Sequence, residues 1–311
     1  MKTNSNLEKV LAAGHLAVTA ECGPPRGAMP DRVRERAAFL KGFCDAVNVT
    51  DNQTAMVRMS SLSASIIIKQ AGLGLNPLLQ MVSRDRNRLS MQADILGAYS
   101  LGIDTMLCLS GDHTKFGDHP QALNVHDLDS IQMLQMVKTM RDEGKFQGGQ
   151  DIKGDPPKMF IGAAANPFAG PNVQVRALRL AKKVAAGADF IQTQCIFNVD
   201  KFEEWMEHVR KLGLHKKTAI LAGVTPIKSV GAARYMQKKV PGMDVPQAIV
   251  DRMAATPKEK QAEEGVTICI EMMERIKKIE GVAGFHIMAI EWEEKVGEIC
   301  ERAGLLPRPQ L

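Results

Sequence analysis

The chain has few aromatic residues: phenylalanine, tyrosine and tryptophan together make up 5% of its 311 residues. It also lacks any basic block, so it is missing both marks of a nucleic-acid surface. No stretch reaches the ~18 uninterrupted apolar residues of a membrane-spanning helix. No apolar run follows Met1-Lys2-Thr3-Asn4, so no signal peptide is expected. The six cysteines, Cys22, Cys44, Cys108, Cys195, Cys269 and Cys300, form no C-x-x-C pair. Most lie in apolar stretches, where free cysteine behaves as a small hydrophobe. That pattern points to a reducing, cytosolic compartment and away from an iron–sulfur or structural zinc site in this chain. A G-x-G-x-x-G turn after an early strand is also missing. Gly72-x-Gly74 follows a helical stretch, so an open dinucleotide-binding sheet is disfavoured.

Apolar residues make up 45% of the chain, enough for a large core, and the net charge of +5 is mild. This suits a slightly basic cleft for a small anion. Short β-branched or apolar runs alternate with stretches of helical periodicity. Strands are expected at Ala17–Glu21, Ala46–Thr50, Leu78–Val82, Thr105–Leu109, Met159–Ala163, Phe190–Gln194, Ala219–Leu221 and Phe285–Ala289. Helices are expected at Asp31–Phe43, Ser60–Ala71, Leu89–Leu101, Leu128–Arg141, Val173–Ala186, Lys201–Leu212 and Glu291–Ala303, with caps at Asp31, Ser60, Asp127 and Asp200. Eight strand–helix units with no duplicated half predict an α/β chain, a single (β/α)8 TIM barrel spanning 1–311. Two regions break the rhythm. Residues 144–158 are polar and rich in Gly and Pro, which reads as a loop or lid. Residues 226–279 read as two or three extra helices, broken at Pro241-Gly242 and Thr256-Pro257.

In such a barrel chemistry sits at the C-terminal ends of the strands. There the sequence places Glu21 before a Gly-Pro-Pro turn, Thr50-Asp51-Asn52, Ser83-Arg84-Asp85, Ser110-Gly111-Asp112, Asn166-Pro167 and Thr193-Gln194. A carboxylate closing an apolar strand should be partly desolvated, which raises its pKa and suits a general acid. Glu21 could equally pair with Arg26 and only brace the loop. Asp112 reads as a ligand-facing carboxylate or a turn residue. Gln194 either binds a heterocycle through its amide or satisfies a neighbouring backbone group. Lys183 is a phosphate contact or a solvated lysine. His113, His119 and His126, with Asp112 and Asp118, share one loop but match no zinc spacing, so no metal is expected. His286 reads as a satisfied core histidine, and the methionines as core filler.

Taken in order, Ala20-Glu21-Cys22-Gly23-Pro24-Pro25-Arg26, Val47-Asn48-Val49-Thr50-Asp51, Ser83-Arg84-Asp85-Arg86-Asn87-Arg88 and Leu109-Ser110-Gly111-Asp112 form a series. It continues with Gly187 to Gln194, Ala222-Gly223-Val224-Thr225-Pro226, Gly284-Phe285-His286 and Ile299-Cys300 to Gly304-Leu305. Across nearly the whole chain this series resembles the methylenetetrahydrofolate reductase family. The resemblance implies a (β/α)8 barrel holding a flavin, usually FAD with FMN left open, and reduction of 5,10-methylenetetrahydrofolate to 5-methyltetrahydrofolate. By position, Glu21 would be the general acid, Asp112 would offset charge on the iminium intermediate, and Gln194 would bind the pterin. Thr50, Gln80, Ser110, Gly111, Asp112, Asn166 and Lys183 would line the flavin, Lys183 near its phosphate. The chain departs from common members at Gln80, Ser110, Asn166 and Val230, which leaves direct use of NADH or NADPH open. The resemblance further implies a folate substrate, an oligomer, and in some members an iron–sulfur or zinc partner subunit that delivers electrons. A folate-binding methyl-transfer component and a non-catalytic scaffold subunit are the competing readings.

Overall fold

The computed structural model describes residues 1–170, 172–240 and 242–311. A short helix, α1 (Asn6–Ala12), precedes the first strand. The chain then alternates β1 (Ala17–Cys22), α2 (Pro30–Ala38), β2 (Ala46–Val49), α3 (Ser61–Gln70), β3 (Pro77–Val82), α4 (Arg88–Ser100), β4 (Thr105–Leu109) and α5 (Ser130–Glu143). It continues with β5 (Phe160–Ala165), α6 (Val173–Ala186), β6 (Phe190–Cys195), α7 (Val199–Lys211) and β7 (Ala219–Val224). Three helices, α8 (Val230–Lys239), α9 (Gln247–Ala255) and α10 (Gln261–Ile276), fill the passage to β8 (Val282–Ile287), and α11 (Lys295–Arg302) follows. The strands close into a parallel barrel in sequence order, with β8 pairing back onto β1. The (β/α)8 TIM barrel expected from the strand count is therefore the fold.

Side chains of a barrel strand alternate between the lumen and the helix layer. At the foot, the lumen is filled by Ala17, Ala46, Leu78, Leu107, Phe160, Phe190 and Leu221, sealed from below by Leu7 and Val10 of α1. Phe160 and Phe190 stack with ring centroids 5.2 Å apart. Gly162 makes room for them, since a Cβ there would lie 2.2 Å from the Phe190 ring. Two residues further along β1, β2, β3 and β6 the lumen turns polar. Gln192 and Asn48 exchange amide hydrogen bonds of 2.7 and 2.9 Å. Gln192 Nε2 also donates to Thr19 Oγ1 at 3.0 Å, and Thr19 Oγ1 lies 2.9 Å from His286 Nδ1. The barrel is thus greasy at the foot and hydrogen-bonded above.

Several local expectations need correcting. The segment 144–158 links α5 to β5, so it lies at the N-terminal end of the strands and cannot cover the mouth. Its Gln147 N–H donates to Gln92 of α4, so it is a connector and no lid. Ser60 does cap α3, accepting from Ser63 N, but the other three caps are displaced. Asp31 lies inside α2, which starts at Pro30. Asn198 caps α7 in place of Asp200. Asp129 caps α5 in a capping box with Gln132, while Asp127 forms an ion pair with Arg88. The strand expected at Phe285–Ala289 begins three residues earlier, and the helix expected from Glu291 begins at Lys295. The extra region does contain three helices, with a break at Thr256-Pro257. Of the other expected break, Pro241 lies outside the described residues.

Candidate functional site

A cavity of about 580 Å³ opens at the C-terminal end of the barrel, within the size range of small-molecule sites. Glu21, Thr50, Gln80, Ser110, Gly111, Asp112, Asn166, Lys183 and Gln194 all line it. Every site residue expected from the sequence therefore meets in one space. All but Lys183, which reaches in from α6, come from the C-terminal half of a strand or from the loop just beyond it.

Glu21 is half-buried, its side chain 17% exposed, with His286 Nε2 3.6 Å from Oε1. The hydrogen bonds behind the histidine hold its ring in place. Gln192 Nε2 gives both protons away, to Asn48 and to Thr19. Thr19 Oγ1 in turn pairs with His286 Nδ1 at 2.9 Å. This engages Nδ1 and leaves Nε2 as the ring nitrogen that faces Glu21. The expected core histidine is satisfied on one side only; its other nitrogen reaches the site. The signal for this was present as a period of two. Thr19 and Glu21, Asn48 and Thr50, and Gln192 and Gln194 place polar residues at alternate strand positions.

Asp112 is exposed at the rim and accepts from Thr54 N at 3.1 Å. The loop it holds is strained: Asn52, Thr54 and Ala55 have φ of 40°, 57° and 57°, although none is glycine. Beside it, Gly111 takes φ of 84°, and a Cβ there would sit 3.1 Å from Val82 Cβ. The Gln194 side-chain oxygen Oε1 accepts from its neighbour Cys195 N at 3.0 Å, and its NH2 has no partner among the described residues. Arg84, buried at the rim, donates to the Asp112 carbonyl and pairs with Asp85. Asp51 is spent structurally, on Arg86 and Val82 N.

The opposite wall is basic. Arg176, Arg179 and Lys183 of α6 line it together, and the two arginines escape a reading based on sequence because they look like a solvated helix face. Lys183 Nζ donates to Ala164 O at 2.6 Å. Burial, aided by Arg179, pushes its pKa down to about 8, against the pull of Asp129. Thr50 Oγ1 on this cavity is buried and has no hydrogen-bond partner. An orphan hydroxyl, a free amide and three cations fit a heteroaromatic ligand bearing phosphate. The histidine loop behaves otherwise. Asp118 pairs with Arg26 and His119, and His113 accepts from Lys115 N. Among the described residues no group of three His, Cys, Asp or Glu is placed to hold a metal ion.

The comparisons agree with this geometry. Among solved structures, an uncharacterized protein from Clostridium thermocellum that binds two copies of 5-methyl-5,6,7,8-tetrahydrofolic acid superposes with a TM-score of 0.66. It is 13% identical, with 96% of this chain and 98% of that one covered. Riboflavin lyase RcaE, solved with modified FMN and riboflavin, gives 0.55 at 10% identity over 93% of this chain and 92% of that one. At such identities these share the fold. Among sequences, a probable methylenetetrahydrofolate reductase (NADPH) of Caenorhabditis elegans is 24% identical over 260 residues, covering 82% of this chain. Methylenetetrahydrofolate reductase 2 of Saccharomyces cerevisiae is 26% identical over 265 residues, covering 80%. The chain spans 36% and 40% of the lengths of these two proteins. The family model described as methylenetetrahydrofolate reductase matches residues 6–304, from the plugging helix through the last turn of the barrel. With that match across the barrel and its mouth, the chain belongs to the methylenetetrahydrofolate reductase family.

Proposed function

We propose that the protein reduces 5,10-methylenetetrahydrofolate to 5-methyltetrahydrofolate, with Glu21 as the general acid. The observation that carries this reading is the half-buried Glu21 carboxyl, set in the wall of the cavity that Asp112 and Gln194 also line. Family membership and a same-fold neighbour that binds 5-methyltetrahydrofolate support the substrate class. Glu21 gives its proton to the folate nitrogen that leaves the methylene carbon, opening the imidazolidine ring to an iminium. The Asp112 carboxylate offsets that positive charge, and the free Gln194 NH2 orients the pterin through an acceptor on its edge. His286, held from behind by Thr19, stands 3.6 Å from the Glu21 carboxyl and packs it toward the cavity.

A bound flavin, in its reduced form, would supply the hydride. Thr50, Gln80, Ser110, Gly111 and Asn166 would hold its ring system, and Lys183 with Arg179 its phosphate. Electrons reach the site from NADH, NADPH or a partner subunit carrying an iron–sulfur or zinc centre.

The test is Glu21→Gln. Methylenetetrahydrofolate reduction should fall at least ~100-fold, while chemical reduction of the flavin proceeds as in the wild type. Unchanged folate reduction overturns the acid. A colourless protein that binds tetrahydrofolate overturns the flavin and favours a methyl-transfer component. Chromatography of the released cofactor separates FAD from FMN, and anaerobic mixing with NADH separates a nucleotide donor from a partner subunit.

A further inference from the structure

Glu21 stands in a wall between two spaces. Its front faces the mouth cavity; its back faces a second, narrow cavity of about 10 Å³, room for roughly one water molecule. Arg36, Arg58, Glu291 and Glu293 line this rear space with it. Two donors on these residues are buried without a partner, Nε of Arg36 and Nε of Arg58. The other guanidinium nitrogens hold the loop: Arg36 Nη1 donates to Gly23 O and Arg58 Nη1 to Pro24 O, both at 3.1 Å. A single water with two orphan donors beside it and carboxyl groups around it has the polar partners that a buried water needs.

Glu293 is buried beside Arg36 on this rear space. Its side chain is 5% exposed, and its nearest cation, Arg36 Nη1, lies 3.6 Å away, beyond a direct hydrogen bond. Burial holds its pKa above the usual carboxylate range, with a hydrogen bond from its own backbone and then Arg36 opposing, and Glu294 and Glu291 adding. A buried carboxyl is costly to ionise, and such groups cluster where protons move. Glu291, on the same cavity, has a side chain 61% exposed and reaches solvent.

We propose that Glu293 recharges Glu21: after Glu21 gives up its proton, one passes from the Glu293 carboxyl through a water in the rear cavity to the Glu21 carboxylate. An O–H bond breaks at Glu293 and one forms at Glu21; no electrons change hands. Glu293 regains a proton from solvent beside Glu291. The relay rests on the proposed role of Glu21 and lets it be rearmed while the mouth is filled. The charged and titratable groups around the relay are Glu21 and Cys22 of β1, Arg36 of α2, Arg58 of the loop after β2, His286 of β8, and Glu291 and Glu294 of its own loop.

The experiment compares the first turnover of the pre-reduced flavoprotein with its steady-state rate of methylenetetrahydrofolate reduction, across pH, in the wild type and in Glu293→Gln. The first turnover, made with Glu21 already protonated, should be unchanged. The steady-state rate should fall on the order of tenfold, and the wild type's decline at rising pH should vanish from the variant. In the ligand-free protein, infrared spectra taken on raising the pH should show one protonated-carboxyl band that outlasts those of ordinary carboxyls and that Glu293→Gln removes. Equal steady-state rates overturn the relay, as does a first turnover that falls in step with them, which marks a structural role. If Glu293→Gln does not fold, Glu293→Asp carries the test: an intact first turnover with a severalfold slower steady state supports the relay, and equal rates overturn it. A wild type that never reduces the folate overturns the reading of Glu21 and the relay with it, whereas the infrared band judges Glu293 separately.

Discussion

Lys183 links the basic wall to a measurable pH dependence. Its pKa is about 8 in the fold and 10.5 ordinarily. Between those values the unfolded chain binds more protons than the folded one, so stability rises with pH across that window. Below about pH 8 the group is charged in both states and the cost of burying that charge is complete. Lys183→Met should flatten the rise, read by denaturant unfolding of the ligand-free protein at several pH values. A phosphate brought beside Lys183 favours its charged form. Flavin binding near pH 8 should then take up a proton, seen by calorimetry in buffers of different ionisation enthalpy, and Lys183→Met should abolish the uptake. Glu21, Asp112 and Gln194 were legible in the sequence because each is a polar residue at or just past the C-terminal end of an apolar strand. His286 as a partner of Glu21 was not, since that contact exists only once β8 pairs with β1, across the whole chain. Glu293 escaped for the same reason: its charge looks like one more exposed helix residue until Arg36 and β1 enclose it.

Among the elements, the short helix α1 carries a testable contribution to stability. Seven residues close the foot of the barrel, and Leu7 is wholly buried there. Leu7→Ala should cost roughly 2–5 kcal/mol, measured by denaturant unfolding, and should leave ligand affinity at the mouth cavity unchanged because the mouth lies at the other end. The sequence hides this helix, which is too short to show two turns of periodicity. Longer helices were legible to within a few residues, and Val173–Ala186 coincides with its expected range. The caps were harder. Asp127 and Asp129 both precede the same apolar run, and the discriminating feature is Gln132 three residues after Asp129, the second half of a capping box. Polarity also misled at 144–158, where Gly and Pro mark a loop but say nothing about which end of the barrel it occupies; its place between a helix and the next strand does.

For the molecule as a whole, the closed barrel leaves its cysteines shielded. Cys22, Cys108, Cys195, Cys269 and Cys300 are buried and Cys44 is partly so. Burial pushes the thiols of Cys22, Cys269 and Cys300 up to about 12 and raises the other three as well. The thiolate is the reactive form. Ellman's reagent should therefore find almost no reactive thiol in the native protein and all six in denaturant; rapid labelling of the native state would show that the barrel opens readily. Eight alternating units made this architecture visible from sequence, because parallel strands buried on both faces leave continuous apolar runs that helices of regular length separate.

The plug at the foot has a further consequence. A lumen sealed by Leu7, Val10, Phe160 and Phe190 is a blind well and not a pipe. Anything as large as a nicotinamide or a pterin could enter and leave the lumen through one doorway, the mouth.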